Sequence, residues 1–378
     1  MKKRIFVLGG AGNMASEGTR DLLKAPDIGE VAIGEVNLEA AQRLAGELND
    51  PRVKVIPVDV TDHADAVQKI QGYDVLMNGL YFGLFDHALT VACQAKVDYA
   101  DLISEPTPEQ YHQAKEAGIT AISGLGLTPG LSNVLARHGA NHLDQTEEIH
   151  IHWVSFRTIA PSQGLLDTIL WELATPCPTR QYYFRGRFVP AAPFEGSKVV
   201  RFGDPVGEQV VYYVPHTETG SLPRHIPGVQ YVSVRGTWRP RLMEDVRILN
   251  QYGLLDNDTV TVGNRQVRVR DFVRDRIWQT QGGKVDADLW TFFLNVEVIG
   301  RLGQETRRYI YDVTHPATWG ERATAKMTGI NASVGVILLA RHGRTKVGLL
   351  DPEEYYDPGE FLAELAIRRD IKVMERLA

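Results

Sequence analysis

A short glycine motif near the amino terminus has the spacing of a phosphate-binding loop. Gly10, Gly12 and Ala15 fit the pattern G-x-G-x-x-A and follow a short apolar run. The first glycine permits a tight turn, the second lets the backbone approach a pyrophosphate, and the alanine lets helix and strand pack closely. Asn13 and Met14 open the helix that should follow, where backbone N–H groups attract phosphate. The motif therefore predicts that the chain binds a dinucleotide.

An acidic residue stands at the distance from this motif that ribose binding requires. Glu35 ends the second apolar run, 20 residues after Ala15. A carboxylate there accepts hydrogen bonds from the ribose 2′-OH of NAD and repels the 2′-phosphate of NADP. Residues 34–40 contain no Arg or Lys that could neutralise that phosphate. The sequence therefore favours NAD over NADP, the alternative being a glycine-rich turn beside a solvated acid.

Polar residues also follow the third and fourth apolar runs. Asp59 and Val60 come after the third run, at the expected edge of an adenine pocket, although Asp59 fits a solvated surface acid equally well. Asn78, Gly79 and Leu80 end the fourth run, and a dinucleotide crosses the carboxyl ends of parallel strands. A polar residue that ends an apolar strand needs a partner. We therefore expect these five residues to border the cofactor.

The elements that position these residues alternate between apolar runs and helical patterns over residues 1–126. This alternation indicates βαβ units and a parallel sheet that is covered on both faces. After Gly130 the pattern changes to alternating strands such as 148–156, and residues 180–240 are short extended pieces broken by Gly and Pro. From Ala323 the chain becomes helical again.

The predicted fold class is α/β, a Rossmann-type doubly wound parallel sheet with a second, mixed α+β domain. Residues 1–126 with 323–378 are assigned to the dinucleotide-binding domain, and residues 127–322 to a domain for substrate binding and dimerisation. In that second domain, residues 288–299 and 307–313 are expected to form an antiparallel pair. The small residues of 325–340 are expected to pack against the first domain.

Composition excludes several classes of protein. The 378 residues carry a net charge of -6 without a basic stretch, so nucleic acid is not an expected partner. Two cysteines cannot build a disulfide framework, which favours the cytoplasm. No run of about 18 apolar residues is present, so no membrane span is expected. His150 and His152 alternate on a strand without an Asp or Cys to complete a ligand set, so no metal site is predicted.

Arginine is concentrated in one part of the chain. Residues 127–322 contain 20 Arg and 2 Lys, whereas the rest contains 9 Arg and 10 Lys. Arg is preferred where carboxylates are bound through two hydrogen bonds or where ion pairs are buried. Structural ion pairs or a subunit interface account for most of these residues, and a few could face a carboxylate substrate.

Five stretches make the chain similar to the saccharopine dehydrogenase-like oxidoreductases, and within them to lysine 6-dehydrogenases most of all. They occur in the family's order and span nearly the whole chain. They are the glycine motif with Glu35, residues 74–82 with 97–102, residues 126–133, residues 217–226, and residues 328–335 with 346–353. Saccharopine-forming members tend to carry an acid before Pro129, where this chain has Thr128, which is more like lysine 6-dehydrogenase.

The resemblance implies a Rossmann domain, a second domain of mixed sheet and helices, and a C-terminal segment that returns to the first. It implies hydride transfer between a nicotinamide cofactor and a carbon that bears nitrogen. Substrates would be amino acids or secondary amines made from them, and the enzyme would be a homodimer. Reductive condensation of an amine with a carbonyl compound is a second interpretation, and a dinucleotide sensor without turnover is a third.

Amine oxidation needs a group that removes a proton from an ammonium, whose pKa is about 10.4. Asp101 ends the fifth apolar run and points to the carboxyl edge of the sheet, so it is a predicted catalytic residue, with a solvated surface acid as the alternative. His225 is the second, because it lies between Pro223 and Pro227 in a segment that the prolines hold rigid. Glu218 is a further candidate base and substrate ligand.

Two residues are expected to bind or line the substrate. Arg224 can bind an α-carboxylate through two parallel hydrogen bonds, or it can pair with Glu218 and shape the loop. Tyr81 follows the turn on the nicotinamide side and could line the pocket or be a packed aromatic residue.

Overall fold

The computed structural model describes residues 2–102, 106–284 and 289–378. The chain forms two compact units, one of residues 1–135 with 325–369 and one of residues 136–324 with 370–378. The strands are β1 Lys3–Leu8, β2 Ile28–Glu35, β3 Val53–Pro57, β4 Val75–Asn78, β5 Asp98–Asp101, β6 Thr120–Ile122, β7 Gln145–Phe156, β8 Gln181–Phe184, β9 Arg187–Pro190, β10 Lys198–Arg201, β11 Glu208–Tyr213, β12 Tyr231–Trp238, β13 Thr259–Val262, β14 Arg265–Arg268, β15 Thr291–Leu302, β16 Glu305–Thr314, β17 Gly348–Leu350 and β18 Lys372–Leu377. The helices are α1 Asn13–Leu22, α2 Leu38–Leu48, α3 His63–Ile70, α4 Phe85–Ala95, α5 Pro108–Ala117, α6 Leu131–Ala140, α7 Gln163–Glu172, α8 Glu218–His225, α9 Pro240–Gln251, α10 Val269–Gln281, α11 Ala323–His342, α12 Pro352–Tyr355 and α13 Pro358–Ala366.

The first unit is built on a parallel sheet with the strand order β17-β6-β5-β4-β1-β2-β3. The order reverses between β1 and β4, because the chain runs outward to β3 and then returns to the other side of β1. Ligands of doubly wound sheets bind at the carboxyl ends of the strands at this point. The central strands β1 and β4 are apolar over most of their length and buried, as expected where both faces of a parallel sheet are covered. The predicted Rossmann-type α/β fold is confirmed.

Helix α11 packs closely against α1 in this unit, as its small residues predicted. A Cβ atom added to Gly329 would lie 2.4 Å from the Met14 carbonyl oxygen and 2.7 Å from the Gly18 nitrogen. A Cβ atom on Gly335 would lie 2.4 Å from a methyl group of Leu125. The two glycines therefore allow α11 to approach elements that are distant in sequence.

We expect Gly329→Ala to destabilise the protein by about 2 kcal/mol, because the added methyl group meets rigid backbone and forces α1 and α11 apart. Gly46→Ala is the matched control, since Gly46 lies inside α2 with nothing within 4 Å of its added Cβ. That change should stabilise the helix slightly. Urea unfolding of both variants measures the effect, and equal stability of Gly329→Ala and wild type would contradict this packing.

The second unit is built on a mixed sheet with the strand order β10-β11-β12-β7-β15-β16-β18. β12 and β7 are parallel, and β15 pairs antiparallel with both β7 and β16. β8 pairs with β12 and β9, while β13 and β14 form a separate hairpin. This is the predicted mixed second domain. The predicted strand 288–299 begins at Asp288, outside the described residues, and the strand that the structure describes begins at Thr291.

Several buried arginines of this unit hold loops. Arg180 donates to the carbonyl oxygens of Glu172, Ala174 and Ala191. Arg157 donates through Nη2 to the Leu165 carbonyl oxygen at 3.0 Å. The structural interpretation of the arginine enrichment therefore applies to both residues.

Two sequence predictions about this region are corrected. Residues 370–378 do not join the first domain, because β18 pairs antiparallel with β16, and the first unit continues to residue 135 instead of 126. The segment around Arg224 and His225 is not an extended piece between prolines but the last turn of α8, with Pro223 inside the helix. Near the end of so short a helix, proline removes a single intrahelical hydrogen bond.

Among the described residues, the helical stretch Ala317–His342 is long and apolar enough to cross a membrane by length and composition alone, with a mean hydropathy of 1.3 over its most apolar window. That window is 89% buried inside the protein. Core helices satisfy the same criterion, so the expectation of no membrane span stays a prediction.

Candidate functional site

The loop between β1 and α1 has the shape that a pyrophosphate requires. A Cβ atom on Gly10 would lie 2.9 Å from the Val7 carbonyl oxygen, and one on Gly12 would lie 3.0 Å from the Gly9 carbonyl oxygen. Gly12 is also the N-cap of α1 and offers no side chain there, so the first backbone N–H groups of the helix lack a side-chain cap. These donors, at Asn13 and the residues after it, suit an anion. The residues present therefore fit a bound dinucleotide.

The loop is held against the end of β4, as the motif predicted. A Cβ atom on Gly79 would lie 2.4 Å from the Cβ atom of Ala15, and Ala15 is fully buried. Leu80 packs beside Gly9, whose φ of +67° is in the left-handed region. Met14 lies in the first turn of α1. The structure thus brings the predicted residues of β1, α1 and β4 together at the point where the strand order reverses.

Glu35 ends β2 and faces this loop. Its Oε1 atom accepts a hydrogen bond from the Ala11 N–H at 3.1 Å. Burial raises the pKa of the Glu35 carboxyl, while the backbone N–H groups of Ala11, Asn37 and Val36 act in the opposite direction. The carboxylate is therefore fixed beside the loop, where it can accept hydrogen bonds from the hydroxyl groups of a ribose.

We expect wild-type protein to bind NADH at least about tenfold more tightly than NADPH, because the Glu35 carboxylate repels a 2′-phosphate. Glu35→Gln should reduce this preference, since the neutral amide keeps the shape but not the charge. Glu39→Gln is the matched control, because Glu39 lies in the first turn of α2 with a side chain that is 87% exposed. Fluorescence titration of the three proteins with NADH and with NADPH measures all six affinities, and tighter binding of NADPH by wild type would contradict the role of Glu35.

Asp59 lies at the end of β3, and the structure gives its carboxylate a local role. The side chain is exposed and accepts hydrogen bonds from the Thr61 N–H at 2.9 Å and from the Thr61 hydroxyl at 2.7 Å. These bonds lower the pKa of the Asp59 carboxyl. Val60 is buried. Asp59 therefore fixes the turn into α3, and a contact with adenine stays a prediction for both residues.

Asn78 and Asp101 belong to a buried hydrogen-bond network at the carboxyl ends of the strands. Asn78 is fully buried; its Oδ1 atom accepts from the Leu80 N–H at 3.1 Å and its Nδ2 atom donates to the Tyr99 hydroxyl at 2.9 Å. Asp101 accepts from the Gly124 N–H at 2.8 Å. The Tyr99 phenol also forms a hydrogen bond with the Asp101 carboxylate. Asn78 thus has a protein partner for each end of its amide.

The first unit also carries Tyr81, one of the predicted substrate residues. Its side chain is 57% exposed in the turn between β4 and α4. Its carbonyl oxygen accepts from the Leu84 N–H at 3.1 Å. The ring is therefore not a packed core residue, and it is accessible within its own unit.

In the second unit, α8 carries the other three predicted residues. Glu218 is fully buried in the first turn. Arg224 is exposed in the last turn, and His225 follows it at the end of the helix. The His225 carbonyl oxygen accepts from Arg137 Nη2 at 2.6 Å, which anchors the helix end on α6.

A cluster of buried ionisable groups beside α8 was not predicted from the sequence. His216 Nδ1 lies 3.5 Å from a carboxylate oxygen of Glu218, and His216 Nε2 lies 4.0 Å from Glu172. Burial raises the pKa of the Glu172 carboxyl to about 7. The ring of Trp153 stacks on His216 with centroids 5.8 Å apart. The sequence signal was His216 itself, which stands two residues before Glu218.

The histidines of β7 are engaged with protein groups. His150 Nε2 lies 2.9 Å from a Glu148 carboxylate oxygen. His152 Nδ1 lies 3.0 Å from Asn295 Oδ1, and its Nε2 lies 3.4 Å from Lys198 Nζ. These contacts occupy three of the ring nitrogens that a metal ion would need.

Known proteins resemble both the cofactor domain and the whole chain. Residues 5–122 match the family model of the saccharopine dehydrogenase NADP binding domain. Carboxyaminopropylagmatine dehydrogenase of Synechocystis is 23% identical over 383 residues, which is 94% of each chain. Carboxynorspermidine synthase of Vibrio cholerae is 29% identical over 208 residues, which is 46% of each chain. The match to the cofactor domain supports a nicotinamide dinucleotide.

Two solved structures have the same fold. Apo saccharopine dehydrogenase (L-Glu forming) from Saccharomyces cerevisiae has a TM-score of 0.75 at 16% identity and covers 100% of both chains. The homospermidine synthase of Legionella pneumophila in complex with NAD has a TM-score of 0.61 at 15% identity and covers 100% of this chain and 91% of its own. The chain is thus similar to the saccharopine dehydrogenase family in its cofactor domain, residues 5–122, and it shares its whole fold with these two structures.

Proposed function

We propose that the protein is an NAD-dependent oxidoreductase that forms or cleaves the C–N bond of a secondary amine. One part of this amine carries an α-amino acid, and the other part derives from a second amine. The proposal is carried by the match over 94% of both chains to a relative named for a carboxyaminopropyl amine. The lysine 6-dehydrogenase interpretation, with a primary amine as substrate, is kept as the second candidate because of Thr128 in the 126–133 motif.

The chemistry balances without a further reactant. A free amine and an aldehyde condense to an imine with loss of water. Addition of a hydride to the imine carbon and a proton to the nitrogen then gives the secondary amine. The reduced nicotinamide supplies the hydride when it is bound, and the reverse direction returns it.

The side chains of this protein would bind the substrate and move protons. In the first unit we assign proton transfer to Asp101 and substrate contact to Tyr81. For the second unit, proton transfer by His225 and substrate contact by Glu218 stay predictions from the sequence. Asp101 has the stronger support, because its carboxylate is held by the Gly124 N–H and by Tyr99 at the carboxyl end of β5. Strand ends at this edge of a doubly wound sheet are where ligands bind.

The test is a two-substrate assay that follows the absorbance of NADH. Agmatine or a diamine is offered together with an amino acid that carries a side-chain aldehyde, and each is also offered alone. We expect NADH to be consumed only when both are present. Lysine with NAD tests the second candidate. NADH formation from lysine, without NADH consumption by any amine and aldehyde pair, would favour the lysine 6-dehydrogenase reaction over the secondary-amine reaction. Cofactor binding without turnover on the whole panel would favour a sensor.

Arg224→Lys tests carboxylate recognition. Lysine keeps the charge but cannot make two parallel hydrogen bonds, so kcat/KM should fall by about tenfold or more on a substrate with a carboxylate. The same variant should be nearly unchanged on a decarboxylated analogue. Arg187→Lys in β9 is the control, because Arg187 is also exposed in this unit. An equal loss on both substrates would mean that Arg224 only shapes α8.

We further propose a cytoplasmic homodimer that binds small molecules and neither nucleic acid nor membrane. The net charge of -6 supports the absence of nucleic acid. Burial raises the pKa of the Cys93 thiol to about 11, as expected for a reduced thiol in an apolar core. Sedimentation velocity measures the oligomeric state, and a monomer at assay concentration would contradict this part of the proposal.

A further inference from the structure

A single phenol joins three strand ends at the carboxyl edge of the parallel sheet. Tyr99 lies in β5 and is 1% exposed. Its hydroxyl accepts the hydrogen bond of Asn78 Nδ2 at 2.9 Å and is hydrogen-bonded to the Asp101 carboxylate. Burial and the Asp101 charge keep the pKa of this phenol well above its ordinary value. The phenol therefore stays protonated, so it can donate to the carboxylate while it accepts from the amide.

The network continues from the phenol to the backbone on both sides. Asn78 accepts from the Leu80 N–H at 3.1 Å, which fixes the turn that follows β4. Asp101 accepts from the Gly124 N–H at 2.8 Å, which fixes the turn that follows β6. The ends of β4, β5 and β6 are thus tied together through one side-chain oxygen.

The Tyr99 network lies in one of the two halves of the cofactor site. In a doubly wound sheet, each half of the sheet binds one mononucleotide, and the acid after β2 belongs to the adenosine half. Glu35 and the glycine motif therefore serve the adenosine and the pyrophosphate. The ends of β4 and β5 serve the nicotinamide half.

We propose that Tyr99 is a positioning residue for the nicotinamide half of the site, acting through Asn78 and Asp101. This rests on the dinucleotide binding that belongs to the proposed function, but not on the identity of the amine. The Tyr99 hydroxyl is engaged by Asn78 and Asp101, so its role is to position these two side chains. Its hydroxyl sets the turn at Leu80 and the orientation of the Asp101 carboxylate.

Tyr99→Phe removes only this hydroxyl and leaves Asn78 Nδ2 and the Asp101 carboxylate each with one hydrogen bond fewer. We expect NADH to bind about tenfold more weakly or worse, while ADP, which lacks the nicotinamide half, keeps its affinity within about twofold. Isothermal titration calorimetry on the purified apo protein measures both. Neither measurement requires the amine substrate, so a failure of the proposed reaction would not affect the result.

Tyr73→Phe is the matched control. Tyr73 is a buried tyrosine of the same unit whose hydroxyl donates to the Glu30 carboxylate at 2.7 Å. It precedes the amino end of β4, at the opposite edge of the sheet from the cofactor. Loss of this bond should lower the melting temperature without changing the ratio of NADH to ADP affinity.

Hydrogen exchange in the apo protein gives a second measurement. We expect faster exchange of the Leu80 amide in Tyr99→Phe than in Tyr73→Phe, because Asn78 loses its anchor. If Tyr99→Phe fails to fold, Asn78→Asp carries the same comparison, since it keeps the Oδ1 acceptor of the Leu80 N–H and removes only the Nδ2 donor to Tyr99. Equal weakening of NADH and ADP, or no weakening of either, would overturn the positioning role and leave Tyr99 as a core residue.

Discussion

Gly12→Ala is expected to weaken NADH binding by about 100-fold or more, which corresponds to about 2.7 kcal/mol. The added Cβ would lie 3.0 Å from the Gly9 carbonyl oxygen. It would occupy the space through which the pyrophosphate approaches the first N–H groups of α1. The folded state should be retained, because the atoms of the described residues within 4 Å of that Cβ, apart from those of its chain neighbours, are backbone oxygens of Gly9 and Gly79. Fluorescence titration with NADH and a thermal melt of the apo protein measure the two effects separately.

Gly46→Ala again serves as the control, since Gly46 lies in a helix of the same unit with open space around it. Its affinity for NADH should equal that of wild type. A Gly12→Ala variant that binds NADH normally would show that the loop is an ordinary turn, and it would remove the structural basis for dinucleotide binding here.

Glu172→Gln should change how stability depends on pH. Burial raises the pKa of the Glu172 carboxyl from 4.5 to about 7 in the folded protein. Between these two values the folded state holds more protons than the unfolded state, so the stability of wild type falls as the pH rises from about 4.5 through about 7. The amide does not titrate. Between about pH 5 and pH 8, stability should therefore shift in favour of the variant by about 2–3 kcal/mol.

The groups around Glu172 decide the size of this shift. His216, Arg157 and Arg180 all act to lower the pKa of the carboxyl, but less than burial raises it. Urea unfolding at the two pH values measures the shift. Glu244→Gln in α9 is the control, because Glu244 is exposed in the same unit. Parallel pH profiles of wild type and Glu172→Gln would mean that Glu172 is ionised throughout and balanced by its cationic neighbours.

The cofactor half of the site could be predicted because its rules are local. Gly10, Gly12 and Ala15 lie within six residues, and the turn that they form depends on backbone geometry alone. The position of Glu35 follows from the length of one helix and one strand. Parallel strands that are buried on both faces also appear in the sequence as apolar runs, so the presence of a parallel sheet could be predicted, although its strand order was not.

The remainder depends on contacts between distant parts of the chain. Glu172 and His216 approach each other only after α7 and α8 have packed, and nothing local distinguishes Glu172 from a surface acid. The sequence indicates that Asn78 needs a polar partner, but only the fold shows that Tyr99 supplies one. A contact between Asn78 and the cofactor stays a prediction. Strand β18 was missed because it is a mostly exposed edge strand, and three of its six residues are charged.

The late position of β17 and α11 in the chain has a consequence for synthesis on the ribosome. β17 pairs with β6, and the paired residues Leu349 and Ala121 are separated in the chain by residues 136–324 of the second unit. During translation, the first six strands therefore emerge with the edge of β6 unpaired and with Leu125 not yet covered by α11. Unpaired edges and exposed apolar surface make nascent chains prone to aggregation. The sheet of the first unit is complete only after β17 has been synthesised and paired with β6. We therefore expect the nascent chain to need protection of that edge, for example by chaperones, until then.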